Sequence, residues 1–446
     1  MKKFFVLVLL IFSLFLAGCN LSTSPQEPGN NPEIENPGEP EGPITPSDPE
    51  QGVPGENPSE PDDNVNPDDP EQNVNPGYPD SGSGEEPGIP DVVYPNYNNK
   101  QKVYLGIDNI DDNLDIFEGK KIGLITNPTG VNSDYRSTID VLYEKVNLTA
   151  LFAPEHGIRG NSQAGGSVGN EVDEITGLTV YSLYGSTKKP TAAMLSNVDV
   201  LCIDIQDVGA RFYTYIYTMA YAMEACKEFG KTFVVFDRPN PIGGKVEGTI
   251  LEEQNSSFIG MYPIITRHGM TIGELAMYFN TEFDINCDLK VVEMTNYNHD
   301  LYMDETTVPW INPSPNMPTL DTALVYTGTG NFEGLDMSEG RGTTKPFEFI
   351  GAPYVNPFEW AEELNSLGLE GVYFRPMYFT PTFEDYANKL CGGVQVHVLD
   401  RDAFSATKVG VAMVYTVKKL YPYSVQLQSY LKLVTGVDYI YNMTST

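Results

Sequence analysis

The sequence predicts an α/β protein: a mainly parallel sheet with helices on both faces, then a smaller α+β region, all preceded by a disordered tail. Three observations carry this prediction. Short apolar runs recur with helical patterns between them from about residue 100. After Gly260 the alternation changes character. The first hundred residues have a composition unlike the rest.

The chain has 446 residues, room for two or three domains, and a formal charge of −34. That charge argues against a nucleic-acid partner, which needs basic surface to neutralise phosphates. It is unevenly spread. Residues 20–99 hold 18 acidic residues, no Lys or Arg, and 18 of the 34 prolines. Setting aside this stretch and the +2 of Lys2 and Lys3 leaves −18 over residues 100–446.

Residues 1–19 read as a lipoprotein signal peptide. Lys2 and Lys3 precede an apolar run from Phe4 to Leu16, too short to span a membrane comfortably. The run ends in Leu16-Ala17-Gly18-Cys19, which resembles a bacterial lipobox with lipid carried on Cys19. The expected location is therefore outside the cell, lipid-anchored at the outer face of the cytoplasmic membrane or in an outer membrane. Residues 20–99 have too few apolar side chains to offset the entropy of ordering. They read as a tether, reaching about 50 Å as a coil and roughly 250 Å if fully extended.

In residues 100–264, "KKIGLITNP", "LTALFAPEHG", "LTVYSLYG", "VDVLCIDIQD" and "KTFVVFDRPN" each read as a buried strand. "TYIYTMAYAMEACKEFGK" reads as a helix closed near Gly230. Strand–helix–strand alternation argues for a parallel sheet, whose ligands bind beyond the carboxyl ends of the strands. Those ends carry Asn127, Glu155 and His156, Asp204, Gln206 and Asp207, and Asp237, Arg238 and Asn240. They are expected to converge on one crevice.

Residues 265–446 read as the second, smaller domain. It opens on the capping box Thr271-x-x-Glu274. "CDLKVVEM" and "GGVQVHVLD" read as strands and "AFSATKVGVAMVYTVKKLYP" as a helix. Residues 310–355 read as a long functional loop containing Asn316, Glu333, Glu339, Arg341, Thr343 and Glu348.

Motifs narrow the chemistry without fixing it. Gly165-Gly166-Ser167-Val168-Gly169 matches GxSxG but lacks the flanking strand and helix of a nucleophile elbow. "GTGNFEG" misses the GxGxxG spacing by one residue. Four histidines, and cysteines without a CxxC pair, do not suggest a metal site. Cys202, Cys226, Cys287 and Cys391 read as free buried thiols. "PEHG" allows Glu155 to act as a general acid or to pair with Arg159. "SEGRGTT" brings Glu339 and Arg341 together between glycines, for a ligand or for a tight turn. "DIQDVGARFYTYI" offers Asp204, Asp207 and Arg211 either as ligand-binding groups or as a cap and ion pair. Arg267 and His268 stand just before the second-domain helix.

Eight blocks then occur in order: "GLITNPTGVN", "LFAPEHGIRG", "VYSLYG", "DIQDVGARFYTYIYTM", "DRPNPIGGKVEG", "RHGMTIGELA", "PSPNMPT" and "SEGRGTTKPFE". Together they resemble the NamZ-type exo-β-N-acetylmuramidases, a bacterial family, over about residues 105–440. The resemblance implies a Rossmann-like domain joined to a smaller α/β domain with the cleft between them. It implies release of N-acetylmuramic acid from the non-reducing end of peptidoglycan fragments, with no cofactor. Glu155 matches the family's catalytic glutamate, and Glu339 a second acidic candidate. Asp336 departs from the Asn expected in many members.

Muramic acid carries a lactyl carboxylate, so an acidic protein needs a local cation to hold it. The candidates are Arg159, Arg211, Arg238, Arg267 and Arg341. Asn127, His156, Asp204, Gln206, Asp207, Asn240, His268, Asn316 and Thr343 complete the expected substrate-binding set. Two other classes stand beside the hydrolase: a non-catalytic glycan-binding lipoprotein, and an esterase or amidase acting on wall components.

Overall fold

The computed structural model describes residues 99–159 and 171–445. The expected signal peptide with Cys19, the acidic tail and the Gly165–Gly169 motif lie outside the described residues.

The five apolar runs all become strands. These are β1 (Ile122–Thr126), β2 (Leu148–Ala153), β4 (Thr179–Ser182), β5 (Val200–Asp204) and β6 (Thr232–Phe236), with a short β3 (Glu171–Val172) before β4. A hairpin follows, β7 (Glu247–Ile250) with β8 (Ile265–Arg267), and then β9 (Asp288–Val292). One seven-stranded sheet runs β3-β4-β2-β1-β5-β6-β9. β3 is its antiparallel edge, and the other pairs are parallel. Counted in chain order, the six parallel strands read 3-2-1-4-5-6. This is the Rossmann order, with its topological switch point between β1 and β5.

Every residue of β1 and β5 is buried, as expected for strands covered on both faces. Side chains alternate between two cores. Leu124, Cys202 and Val234 face α1 (Thr138–Lys145) and a core that continues into the C-terminal layer. Ile125, Leu201, Ile203 and Val235 face α2 (Tyr215–Phe229) and α3 (Ile272–Glu282). Gly230 closes α2 in the left-handed conformation, φ 64°, which a Cβ would disfavour. The capping box forms as expected: Thr271 Oγ1 accepts from Glu274 N at 3.1 Å, and Glu274 Oε2 accepts from Thr271 N at 2.9 Å.

Two expectations are corrected. The first sheet does not end at residue 264, because β9 pairs in parallel with β6 from Thr232↔Asp288 to Phe236↔Val292. The change of pattern after Gly260 marks the inserted β7–β8 hairpin, not a new domain. The second correction concerns residues 310–355, which are not a continuous loop. They contain α4 (Leu320–Thr329), the turn Gly330–Gly334 and β10 (Phe349–Ala352). All of α4 except Asp321 is buried, so it shows no polar stripe, and its Thr and Gly content reads as loop.

The C-terminal layer is completed by α5 (Pro357–Ser366), β11 (Val372–Phe379), β12 (Cys391–Val398), α6 (Ala406–Leu420), α7 (Tyr430–Thr435) and α8 (Asp438–Ser445). Its antiparallel sheet runs β10-β12-β11. Helices α4 and α6 touch backbone to backbone. A Cβ on Gly410 would stand 2.2 Å from the Gly328 carbonyl oxygen, and one on Gly328 would stand 1.9 Å from that of Ala406. Both positions therefore need glycine. The four cysteines are buried and free, as the spacing suggests.

Candidate active site

The carboxyl ends of β2, β1, β5 and β6 lie side by side, so the polar strand tips do meet. Most of them are engaged with one another. Asp204 is fully buried and accepts Arg238 Nε at 2.5 Å and Nη2 at 3.0 Å. Thr138 Oγ1 donates to the same carboxylate. Gln206 Nε2 donates to the Asp207 and Pro239 carbonyls, and its backbone N–H donates to Thr129 Oγ1. Thr129 Oγ1 in turn donates to Asn127 Oδ1 at 2.5 Å. Asp207 Oδ2 meets His268 Nε2 at 3.1 Å. Because His268 Nδ1 accepts from Met270 N, the ring's proton belongs on Nε2 and points at Asp207. Asn127 Nδ2, Gln206 Oε1 and Asp207 Oδ1 are buried without a partner among the described residues. The Pro313 carbonyl accepts from Tyr215 OH at 2.6 Å, which brings the loop of Asn316 to the same place.

Glu155 follows β2 at the rim and is part-exposed. The next two residues, His156 and Gly157, both have φ 74°, so the chain turns sharply after the glutamate. Left-handed backbone at a non-glycine residue costs energy and persists where packing enforces it. Glu155 does not pair with Arg159, whose Nε and Nη2 grip Asp173 at 2.7 and 3.0 Å. Its partner is the hydroxyl of Tyr184, pushed up to about 12 by burial and by the charge of Glu155.

Close enough to feel the charge of Glu155 is Glu333, which is bound by Arg341. Arg341 Nη1 donates to Glu339 Oε1 at 2.6 Å, and its Nη2 donates to Glu333 Oε1. Burial alone would loosen the guanidinium proton, but the two glutamates hold it more tightly than usual. Burial also pushes Glu333 up. The charges of Glu339 and Glu155 add to that rise, against the pull of Arg341. Tyr326 and Tyr430 feel Glu155, Glu333 and Arg341 together, and Tyr213 feels Glu155 and Asp207. The acid groups of the two layers therefore share one electrostatic site.

The glycines of "SEGRGTT" serve packing rather than ligand approach. Gly340 and Gly342 have φ 84° and 78°. A Cβ on Gly342 would stand 2.6 Å from Phe383 N, and one on Gly340 would stand 2.6 Å from the Phe349 carbonyl oxygen. Thr343 Oγ1 closes the same turn on the Gly340 carbonyl. Asp336 Oδ1 accepts from Gln426 N at 2.6 Å and so anchors the loop before α7.

Three of the five candidate arginines are committed to the fold, which corrects the expectation that any of the five can hold a lactyl group. Arg211 is fully buried and donates to the carbonyls of Thr249, Ile264 and Val434. Burial without a counter-ion lowers its pKa to about 10. Arg267 is fully buried against Glu247 and the Ile242 carbonyl. Arg238 is engaged by Asp204 and the Val131 carbonyl. Asn240 likewise closes a turn, bonding Met270 O and Ile242 N. Arg159 and Arg341 keep 33% and 23% of their side chains accessible.

Sequence reasoning places Glu333 in the functional loop but leaves it, with the tyrosines, out of the catalytic and substrate-binding sets. Glu333 has a signal, since it sits in the "GTGNFEG" run that falls one residue short of a phosphate-binding spacing. Tyr430 has none, because only the fold of α7 brings it to the cleft.

Known protein families match most of the described chain. Residues 122–321 match the model described as "Exo-beta-N-acetylmuramidase NamZ, N-terminal", and residues 324–445 match its C-terminal counterpart. The chain belongs to this family. The division between the two NamZ segments falls at the start of α4, after β9, in line with the corrected sheet. A relative from Bacillus subtilis (strain 168), "Peptidoglycan beta-N-acetylmuramidase NamZ", is 58% identical over 327 residues, covering 72% of this chain and 79% of that protein. Two crystal structures of DUF1343 family proteins from Bacteroides fragilis NCTC 9343 share the fold. One is 40% identical with a TM-score of 0.73, covering 78% of this chain and 92% of its own. The other is 31% identical with a TM-score of 0.62, covering 77% and 91%.

Proposed function

We propose that this NamZ-family chain is an exo-β-N-acetylmuramidase, a glycoside hydrolase that releases N-acetylmuramic acid from the non-reducing ends of peptidoglycan fragments. The observation that carries the reading is that Glu155, after β2, and the Glu333–Arg341–Glu339 cluster of the C-terminal layer share one electrostatic site, with Glu333 feeling the charges of both Glu339 and Glu155. Glycoside hydrolysis uses two carboxyl groups flanking the scissile bond. Glu155 is the proton donor to the leaving oxygen. Tyr184 hydrogen-bonds it, and the chain turns sharply at His156 just after it. An oxocarbenium-like transition state gains from the acidic cluster opposite. Of the five candidate arginines, Arg341 and Arg159 keep surface to meet a lactyl carboxylate.

The test is a pair of chromogenic β-glycosides, one of N-acetylmuramic acid and one of N-acetylglucosamine. Release from the first alone is expected. Equal release from both would remove the lactyl-reading cation, and release from neither would remove the hydrolase.

Export and lipid anchoring form a second part of the proposal. Lys2, Lys3, the apolar run and the box ending at Cys19 support it. The acidic tail then acts as a tether, letting an anchored enzyme reach wall fragments. Cys19→Ser expressed in a bacterial host should move the protein from the membrane fraction to the soluble one. A variant that stays with the membrane would refute the anchor.

A further inference from the structure

A muramidase that attacks C1 with an activated water pairs its proton donor with a second carboxyl group, and the choice of that group rests on the muramidase reading. Sequence reasoning offers Glu339. In the structure, however, the Glu339 side chain is only 4% exposed and is held by Arg341 Nη1 at 2.6 Å. Glu333 takes the other arm of the same guanidinium and keeps 17% of its side chain exposed. It stands on the turn Gly330–Gly334 that closes α4. That turn is pressed against α7, since a Cβ on Gly334 would lie 2.5 Å from Leu431 Cα. Tyr430, the residue before Leu431, feels the charges of Glu333, Arg341 and Glu155, and so does Tyr326 from α4. Two tyrosines therefore border the space shared by Glu155 and Glu333.

We propose that Glu333 is the second catalytic carboxylate, acting as general base to the attacking water, and that Glu339 is a positioning residue that holds Arg341 against it. Arg341 engages Oε1 of Glu333 and leaves Oε2 to take a proton. Burial and the charges of Glu339 and Glu155 raise the affinity of Glu333 for a proton, and Arg341 on Oε1 offsets that rise. In the reaction, Glu155 gives its proton to the glycosidic oxygen as the bond from that oxygen to C1 breaks. The water oxygen bonds to C1 while one of its protons passes to Glu333. Glu333 then releases that proton to solvent and Glu155 takes one up, so the net change is one water consumed. Attack on the face opposite the leaving group inverts C1.

The experiment compares Glu333→Gln, Glu339→Gln and Glu155→Gln in the full chain. It uses a β-linked N-acetylmuramic acid substrate and proton NMR of the sugar first released. Glu333→Gln should lower kcat about 100- to 10,000-fold. It should do so even with a dinitrophenyl leaving group, which needs no acid and should restore much of the activity of Glu155→Gln. Glu339→Gln should change kcat by less than about tenfold. Losing that neighbouring charge lowers the proton affinity of Glu333, so the acid limb of kcat/KM should move to lower pH. The first product should be the α anomer. Near-normal kcat in Glu333→Gln, a β anomer released first, or a Glu339→Gln loss as deep as that of Glu333→Gln would each overturn the proposal. Urea midpoints separate folding from chemistry, and Glu333→Asp, which keeps the carboxyl, should recover part of the lost rate. A wild-type chain inactive on the muramic substrate would remove the muramidase reading instead.

Discussion

Glu155→Gln is expected to lower kcat by about 100- to 10,000-fold on a substrate with a poor leaving group, the range lost when a positioned proton donor is removed. The effect should be chemical rather than structural. Glu155 is part-exposed, pairs with no cation among the described residues, and is held by the Tyr184 hydroxyl, which an amide oxygen can still accept from. Stability should therefore change by no more than about 0.5 kcal/mol, as for surface substitutions elsewhere. The amide is the same size as the acid, so KM should hardly move. Steady-state kinetics on the muramic glycoside beside urea unfolding reads both quantities. A variant with near-normal turnover would show that the proton comes from another group. A variant with a much lower unfolding midpoint would show that Glu155 serves the sharp turn at His156 and not the reaction.

The sheet is legible in the sequence because its signal is local. A strand covered on both faces must be apolar along its whole length, and β1, β2, β5 and β6 each announce themselves in this way. Helix α3 is legible from Thr271 and Glu274, whose side chains satisfy the first backbone N–H groups of the helix. Helix α4 is not. It is buried nearly all round, so the polar face that normally marks a helix is missing. The membership of β9 is also hidden, because a strand's sequence does not state which sheet edge it joins. At the site, the acidic and basic residue types are visible but their allegiances are not. Arg211 and Arg341 look alike in a sequence. One is sealed among three backbone carbonyls, and the other bridges two carboxylates at a cleft. Which of these an arginine does depends on distant segments, such as Val434 for Arg211, that only tertiary packing brings near.

Arg238 supplies the largest expected effect on stability. Its side chain is 3% exposed and meets Asp204, whose side chain is 0% exposed, with a forked contact at 2.5 and 3.0 Å. Arg238→Met would leave that carboxylate in the interior with only the Thr138 hydroxyl to answer it. Breaking one side of a buried pair typically costs about 3–5 kcal/mol, much of it from the charge left behind. The double variant Asp204→Asn with Arg238→Met removes the stranded charge as well, so it should recover a large part of the loss. Denaturant unfolding of the two single variants and the double variant measures the coupling directly. The pair also ties β5 to the loop after β1, through the Val131 carbonyl, and so it supports Asn127 and the switch-point crevice. Any fall in activity on the muramic substrate should therefore track the folded fraction, and the glucosamine glycoside should stay uncleaved. Wild-type stability combined with a lost preference for the muramic sugar would instead make Arg238 the reader of the lactyl group, and would mean that the Asp204 pair opens when substrate enters.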